Sequence, residues 1–140
     1  MLKVPLDSIM SNHVITIKDD ATVSDAAHLL LRYRINGIVV VKKDNPGEVL
    51  GVMTTASLIK LLDRAMSRPR GRANALARIA GMRLNDVPLR QVIKVPLNTS
   101  TVKVIATMHR KQMYTILVYE KERLVGVVGI HDILNAAFGA

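Results

Sequence analysis

Two stretches of this chain combine residue types able to hold an anion: Gly126-Val127-Val128-Gly129-Ile130-His131-Asp132-Ile133 and Gly51-Val52-Met53-Thr54-Thr55-Ala56-Ser57-Leu58. In each, a strand is expected to end where a short apolar helix begins. A helix start presents backbone N–H groups without intrahelical partners, together with the positive end of the helix dipole, and a phosphate suits that place. A hydroxyl such as Thr54 adds a neutral donor. A carboxylate such as Asp132 can accept two charge-assisted hydrogen bonds, worth about 1.5–3 kcal/mol each. The same residues have plainer uses. Asp132 suits the first turn of any helix, Thr54 is a good N-cap, and His131 can be a solvated first-turn residue. Gly37, Gly51 and Gly126 can be strand or turn glycines placed for close backbone approach.

Catalytic patterns are scarce. There is no cysteine, which excludes disulfides, thiol catalysis and zinc-finger ligation. His13, His28, His109 and His131 show no metal-ligand pairing of the H-E-x-x-H kind, and neither a phosphate-binding P-loop nor a G-x-S-x-G elbow occurs. Asp19 and Asp20 are adjacent in an expected turn, where their side chains need not converge. The expectation is a protein that is not an enzyme, with no required cofactor and no metal site.

The elements that must position the two stretches form a repeat with a spacing near 78 residues. Val14-Ile15-Thr16-Ile17 matches Val92-Ile93-Lys94-Val95, and Asn36 to Val41 matches Tyr114 to Tyr119. Leu50-Gly51-Val52-Met53 matches Val125-Gly126-Val127-Val128 once three extra residues are allowed to the first turn. Each copy reads as strand, helix, strand, strand, helix. The β-branched run Val14 to Ile17 is a strand. Thr22 and Asp25 form a capping box with Asp in place of Glu, opening a helix whose apolar face is Val23, Ala26, Ala27 and Leu30. Ile38 to Val41 is continuously apolar, as in a strand buried on both faces. Asp44-Asn45-Pro46-Gly47 supplies turn chemistry, Val49 to Met53 returns, and Ala56 to Leu62 is a second helix. In the second copy Val92 to Val95 is a strand. Val102, Ile105, Ala106 and His109 mark a helical face, with His109 partly buried. Ile116 to Tyr119 and Leu124 to Val128 pair across Lys121-Glu122, and His131 to Ala137 closes the chain. One such three-stranded layer cannot hide its apolar faces alone, so two copies are expected to pack together.

The chain has 140 residues, 49% of them apolar but only 3% aromatic, which calls for a core of Val, Ile, Leu, Ala and Met. The net charge of +9 is concentrated: Arg64, Arg68, Arg70, Arg72, Arg78 and Arg83 fall within 64–83 with no acid among them. That connector, with a helical turn or two over Asn74 to Ala80, can meet a polyanion, a phosphorylated ligand or an acidic partner surface, or simply solubilise the joint. No apolar run approaches the ~20 residues of a membrane span, and the opening residues lack the long apolar run of a signal peptide. A cytoplasmic protein without membrane contact is expected.

The junction pattern of Gly, two mostly apolar residues, Ser or Thr, two variable residues, Asp and an aliphatic residue resembles the nucleotide signature of cystathionine-β-synthase-type (CBS) domains. The duplicated element order and the opening Met10, Val14-Ile15-Thr16-Ile17, Ala21-Thr22-Val23 strengthen the resemblance, which runs from about Leu6 to Ala137. It implies an α/β (α+β) fold of two tandem β-α-β-β-α repeats packed by pseudo-two-fold symmetry: 1–63, an Arg-rich connector 64–83, and 84–140. It also implies a cleft between repeats that takes an adenine nucleotide (AMP, ADP or ATP) or S-adenosylmethionine, and a homodimer. Site one would place ribose on Asp132, with His131 and Gly129 nearby and a base wall of Thr16, Ile35, Asn36 and Gly37. Site two would place phosphate on Thr54, beside Ser57, with Lys94, Met113, Tyr114 and Thr115 opposite; Tyr114 can equally be rim packing. Both depart from the pattern: Gly129 stands where a hydroxyl is expected, and Ser57 where the Asp is expected. Site one therefore ranks first for an adenosyl ligand. The resulting reading is a regulatory module that senses a nucleotide-type ligand and passes a change of shape to a protein partner. The alternative is a nucleic-acid-binding or partner-docking protein acting through 64–83.

Overall fold

The computed structural model describes residues 4–139, which form two compact units: 15–91, and 4–14 together with 92–139. Both are mixed α+β, each with one three-stranded sheet.

In the unit 15–91 the order is β1 (Thr16–Lys18), α1 (Val23–Tyr33), β2 (Gly37–Lys42), β3 (Asn45–Thr54), α2 (Thr55–Met66) and α3 (Arg72–Gly81). The sheet order is β1-β2-β3, with β1 parallel and β3 antiparallel to β2. The expected capping box forms: Asp25 N–H donates to Thr22 Oγ1 at 3.1 Å, and Thr22 N–H to Asp25 Oδ2 at 3.0 Å. Hydrogen bonding to the carboxylate from Thr22, its backbone N–H foremost, draws the Asp25 carboxyl below its ordinary value. Val23, Ala26 and Leu30 then turn inward onto Ile17, Ile38, Val40 and Met53. Central strand β2 is buried from Gly37 to Val41, as a continuous apolar run requires. Leu84 and Val87, in and just after a single 3₁₀ turn (Leu84–Asp86), complete this core.

The connector is anchored within the same unit. Val23 N–H donates to Met82 O at 2.8 Å, and the Arg83 guanidinium to Asp20 O at 3.0 Å. Its basic residues are thus partly held on two helices, and α3 is longer than the one or two turns expected.

The second unit holds β4 (Lys94–Pro96), α4 (Thr101–Lys111), β5 (Thr115–Glu120), β6 (Arg123–Gly129) and α5 (Ile130–Phe138), with a 3₁₀ turn at Leu6–Ser8. Its sheet, β4-β5-β6, repeats the first topology. Segment 4–14 joins it by paired backbone bonds between Ser11 and Val127, at 2.9 and 3.0 Å. The matching segment of the other unit bonds Arg90 to Val52 in the same way, at 2.9 Å each.

Four local expectations are corrected. The first strand of each copy starts later, at Thr16 and Lys94, because pairing with Val39–Val41 and Leu117–Tyr119 sets its extent. The first hairpin turns at Lys43-Asp44, since Lys42 pairs with Asn45; the three extra residues, Pro46 to Glu48, bulge out between Asn45 and Val49. Helix α4 buries Thr101, Val104, Thr107 and Met108, whereas Val102 is 56% exposed and His109 is exposed. The threonines enter the interior because each hydroxyl finds a backbone acceptor: Thr101 donates to Val4 O at 2.7 Å, and Thr107 to Lys103 O at 2.8 Å. Polarity alone therefore misphased the face. Helix α2 also runs past Leu62 to Met66.

The second hairpin carries strain. Lys121 and Glu122 both take positive φ, 49° and 64°, in the two-residue loop between Glu120 and Arg123. Side chains with a Cβ pay for that conformation, whereas Asn-Gly is its favoured pair. The double variant Lys121→Asn/Glu122→Gly is expected to gain about 1 kcal/mol, seen as a higher urea midpoint in equilibrium unfolding.

Candidate functional site

In the unit containing 92–139, β6 hands over directly to α5. Gly129 is the N-cap, with no side chain to cap the helix, and Asp132 does so from the first turn: its Oδ2 accepts from Gly129 N–H at 2.7 Å. This bond fixes the carboxylate's orientation. Oδ1 takes no hydrogen bond from the described residues. Asp132 is partly buried, and burial pushes its carboxyl above the ordinary value, while the Gly129 bond and nearby His131 pull the other way. His131 is exposed. A Cβ added at Gly129 would stand 3.6 Å from Asp132 Oδ2 and 3.8 Å from Tyr114 O, so the glycine leaves room here.

Antiparallel pairing of Thr115 with Gly129 brings Tyr114 and Thr115 to the same junction. Tyr114 is partly exposed, and its hydroxyl donates to Gln112 Oε1 at 2.9 Å. Thr115 is buried, and Met113 is a core side chain, 1% exposed. Lys94 is exposed on β4, its ammonium 5.0 Å from the centroid of the Tyr119 ring, which makes a cation–π pair.

The unit 15–91 has the equivalent junction. Thr54 is the N-cap of α2: its Oγ1 accepts from Ser57 N–H at 3.1 Å and lies 2.9 Å from Ser57 Oγ. Gly37 pairs with Thr54, and Asn36 O accepts from Thr55 N–H at 2.9 Å. Ile35 and Asn36 are partly buried and Gly37 fully so, while Thr16 is exposed on β1. Within one unit, then, the structure gathers Asn36, Gly37, Thr54 and Ser57; within the other it gathers Tyr114, Thr115, Gly129 and Asp132.

A feature that sequence reasoning missed lies beside Thr54. Ser57, Lys60, Leu61 and Arg64 of α2 face Pro88, Leu89 and Arg90 across a groove. The spacing 57, 60, 64 signals one helix face, but nothing local announces that 88–90 lies along it. Among the described residues no helix is long and apolar enough to cross a membrane.

The CBS domain family profile matches residues 6–64 and again 84–139. The arabinose 5-phosphate isomerase of Yersinia pestis is 26% identical over 121 residues, covering 86% of this chain and 33% of that protein. The chain spans only 23% to 35% of the length of the curated relatives it matches. Among solved structures, a CBS-domain-containing protein of Agrobacterium tumefaciens superposes with a TM-score of 0.75 at 24% identity, covering 91% of this chain and 87% of that one. The CBS domain of a bacterial CNNM/CorC-family Mg2+ transporter, in complex with ATP, superposes with a TM-score of 0.71 at 18% identity, covering 99% and 89%. At these identities the structural likeness establishes the fold.

Proposed function

Because this chain belongs to the CBS domain family and carries the domain twice, we propose that it is a ligand-sensing regulatory module that holds an adenine nucleotide or adenosyl compound at the start of α5. One observation carries this reading: a partly buried carboxylate, oriented by the Gly129 N–H through one oxygen, with the other oxygen unclaimed by described residues. Asp132 accepts the ribose hydroxyls, and the first N–H groups of α5 face the phosphate. The ATP complex of a structural neighbour supports the ligand class.

A second copy of the chain is the proposed partner. Ile59, Leu62 and Met66 are exposed at positions i, i+3 and i+7 of α2, and Leu134 and Phe138 at i and i+4 of α5, so each helix offers an apolar stripe that pairing would cover. Native mass spectrometry of the purified protein tests both parts. A dimer mass carrying adenine nucleotide or S-adenosylmethionine is expected. Calorimetry with AMP, ADP, ATP and S-adenosylmethionine follows, and no heat from any of them at millimolar concentration removes the ligand reading.

Exposure of Arg68, Arg70, Arg72 and Arg78 favours a second reading, nucleic-acid binding through 64–83. Filter binding across a salt series decides it, since phosphate contacts weaken steeply with salt.

A further inference from the structure

Ser67 closes α2 and opens an exposed linker to α3. It is the C-cap of α2, and Ser67 to Gly71 are all exposed and lie outside both helices. Pro69 keeps the helix from continuing. Arginines surround this one hydroxyl along the chain: Arg64 three residues before it, Arg68 directly after, then Arg70 and Arg72. Asp63 is the only carboxylate between Glu48 and Asp86. No other serine or threonine of the chain has an arginine three residues before it.

The Ser67 hydroxyl bonds within its own helix. It donates to Asp63 O at 2.7 Å, an acceptor that also takes the Ser67 N–H at 2.9 Å. Losing the hydroxyl hydrogen therefore leaves no acceptor empty. The linker is bent back on itself, since Arg72 Nε donates to Arg68 O at 2.8 Å. That bond holds the Arg72 side chain beside the residue that follows Ser67. A guanidinium bonded through Nε keeps its terminal N–H fork for a second acceptor.

We propose that Ser67 is a phosphorylation site for a serine kinase that reads basic residues before its target, and that the phosphate is then clamped by Arg68 and Arg72. Arg64 is the residue such a kinase reads. Ser67 Oγ attacks the γ-phosphorus of ATP. The new O–P bond forms as the bond to the β,γ-bridging oxygen breaks, ADP leaves, and the hydroxyl proton passes to a carboxylate base of the kinase. The product carries a charge of about −1.5 to −2. At the negative end of α2 that charge is unfavourable by itself, so the arginines decide the outcome. Charge-assisted bonds from Arg68 and Arg72 join the end of α2 to the start of α3. Phosphorylation thus converts an exposed cationic linker into a pinned one. The site is independent of Asp132 and of nucleic-acid binding.

The test incubates the intact protein with magnesium, ATP and the catalytic subunit of cyclic-AMP-dependent protein kinase, followed by intact mass and peptide fragmentation. A gain of one phosphoryl group, located at Ser67, is expected. Ser67→Ala abolishes it, and Arg64→Ala slows it tenfold or more. Arg78→Ala, an equal loss of charge on α3 outside the linker, changes the rate less than twofold. Amide hydrogen exchange across 67–74 slows threefold or more in the phosphorylated protein. Arg72→Ala removes that slowing while Ser67 is still modified. No mass gain, phosphate on a different hydroxyl, or labelling indifferent to Arg64→Ala overturns the site; unchanged exchange in the phosphorylated protein overturns the clamp.

Discussion

Replacing Asp132 with Asn is expected to weaken an adenosyl ligand about 100-fold, or about 2.8 kcal/mol, while the protein stays as stable as before or gains slightly. Both halves follow from the same carboxylate. Ribose hydroxyls bond to a charged acceptor at about 1.5–3 kcal/mol each, and the neutral amide loses much of that. The amide oxygen still accepts from Gly129 N–H, so the cap on α5 survives. Burial works against the charged form in the folded state, and Asn removes that cost.

The pH dependence has a definite sign. The Asp132 carboxyl titrates above its unfolded value, so its ionised form subtracts stability at pH above the folded value. The subtraction disappears as pH falls below the unfolded value. Ligand binding needs the ionised acceptor and therefore weakens as pH falls through the raised value. Asp132→Asn flattens both dependences. Calorimetry and thermal unfolding of the two proteins across that acidic range check this. An unchanged affinity in Asp132→Asn refutes a ribose role.

Gly51→Ala is expected to cost about 1–3 kcal/mol, through crowding of an already packed interior. A Cβ at residue 51 would lie 2.7 Å from Leu89 Cβ and 3.0 Å from Arg90 O. Neither neighbour can rotate away, because one is the root of a side chain and the other is backbone held by the Arg90–Val52 bonds. Relief requires the 88–91 segment to lift from β3. The equivalent Gly126 also meets a backbone oxygen, Ser11 O at 2.9 Å, but its shortest contact, 2.6 Å, is to the flexible Met10 thioether. Gly126→Ala should therefore cost less than Gly51→Ala. Urea unfolding monitored by circular dichroism measures both. A midpoint for Gly51→Ala equal to that of the parent would show that the segment is not held against β3.

What could be read before any coordinates was whatever depends on near neighbours along the chain. The Thr22–Asp25 box, the β-branched run of β2 and the hairpin at Lys121-Glu122 are properties of a few adjacent residues, and all three form as expected. So does the helix start at Asp132, since a carboxylate in a first turn has its donors within three residues. Hydropathy alone misphases α4 because it records only whether a side chain is polar. It does not record whether a carbonyl 97 residues away, as Val4 O is from Thr101, waits to accept its proton. The same holds for Arg90 against Val52 and Ser11 against Val127: these are backbone pairings, and backbone is the same at every residue. Residue types and their spacing determined the elements, the repeat and the carboxylate at the last helix start. Tertiary structure alone decided which distant segments close each sheet edge and which cations line a groove, because those outcomes depend on shape and backbone hydrogen bonding across long loops.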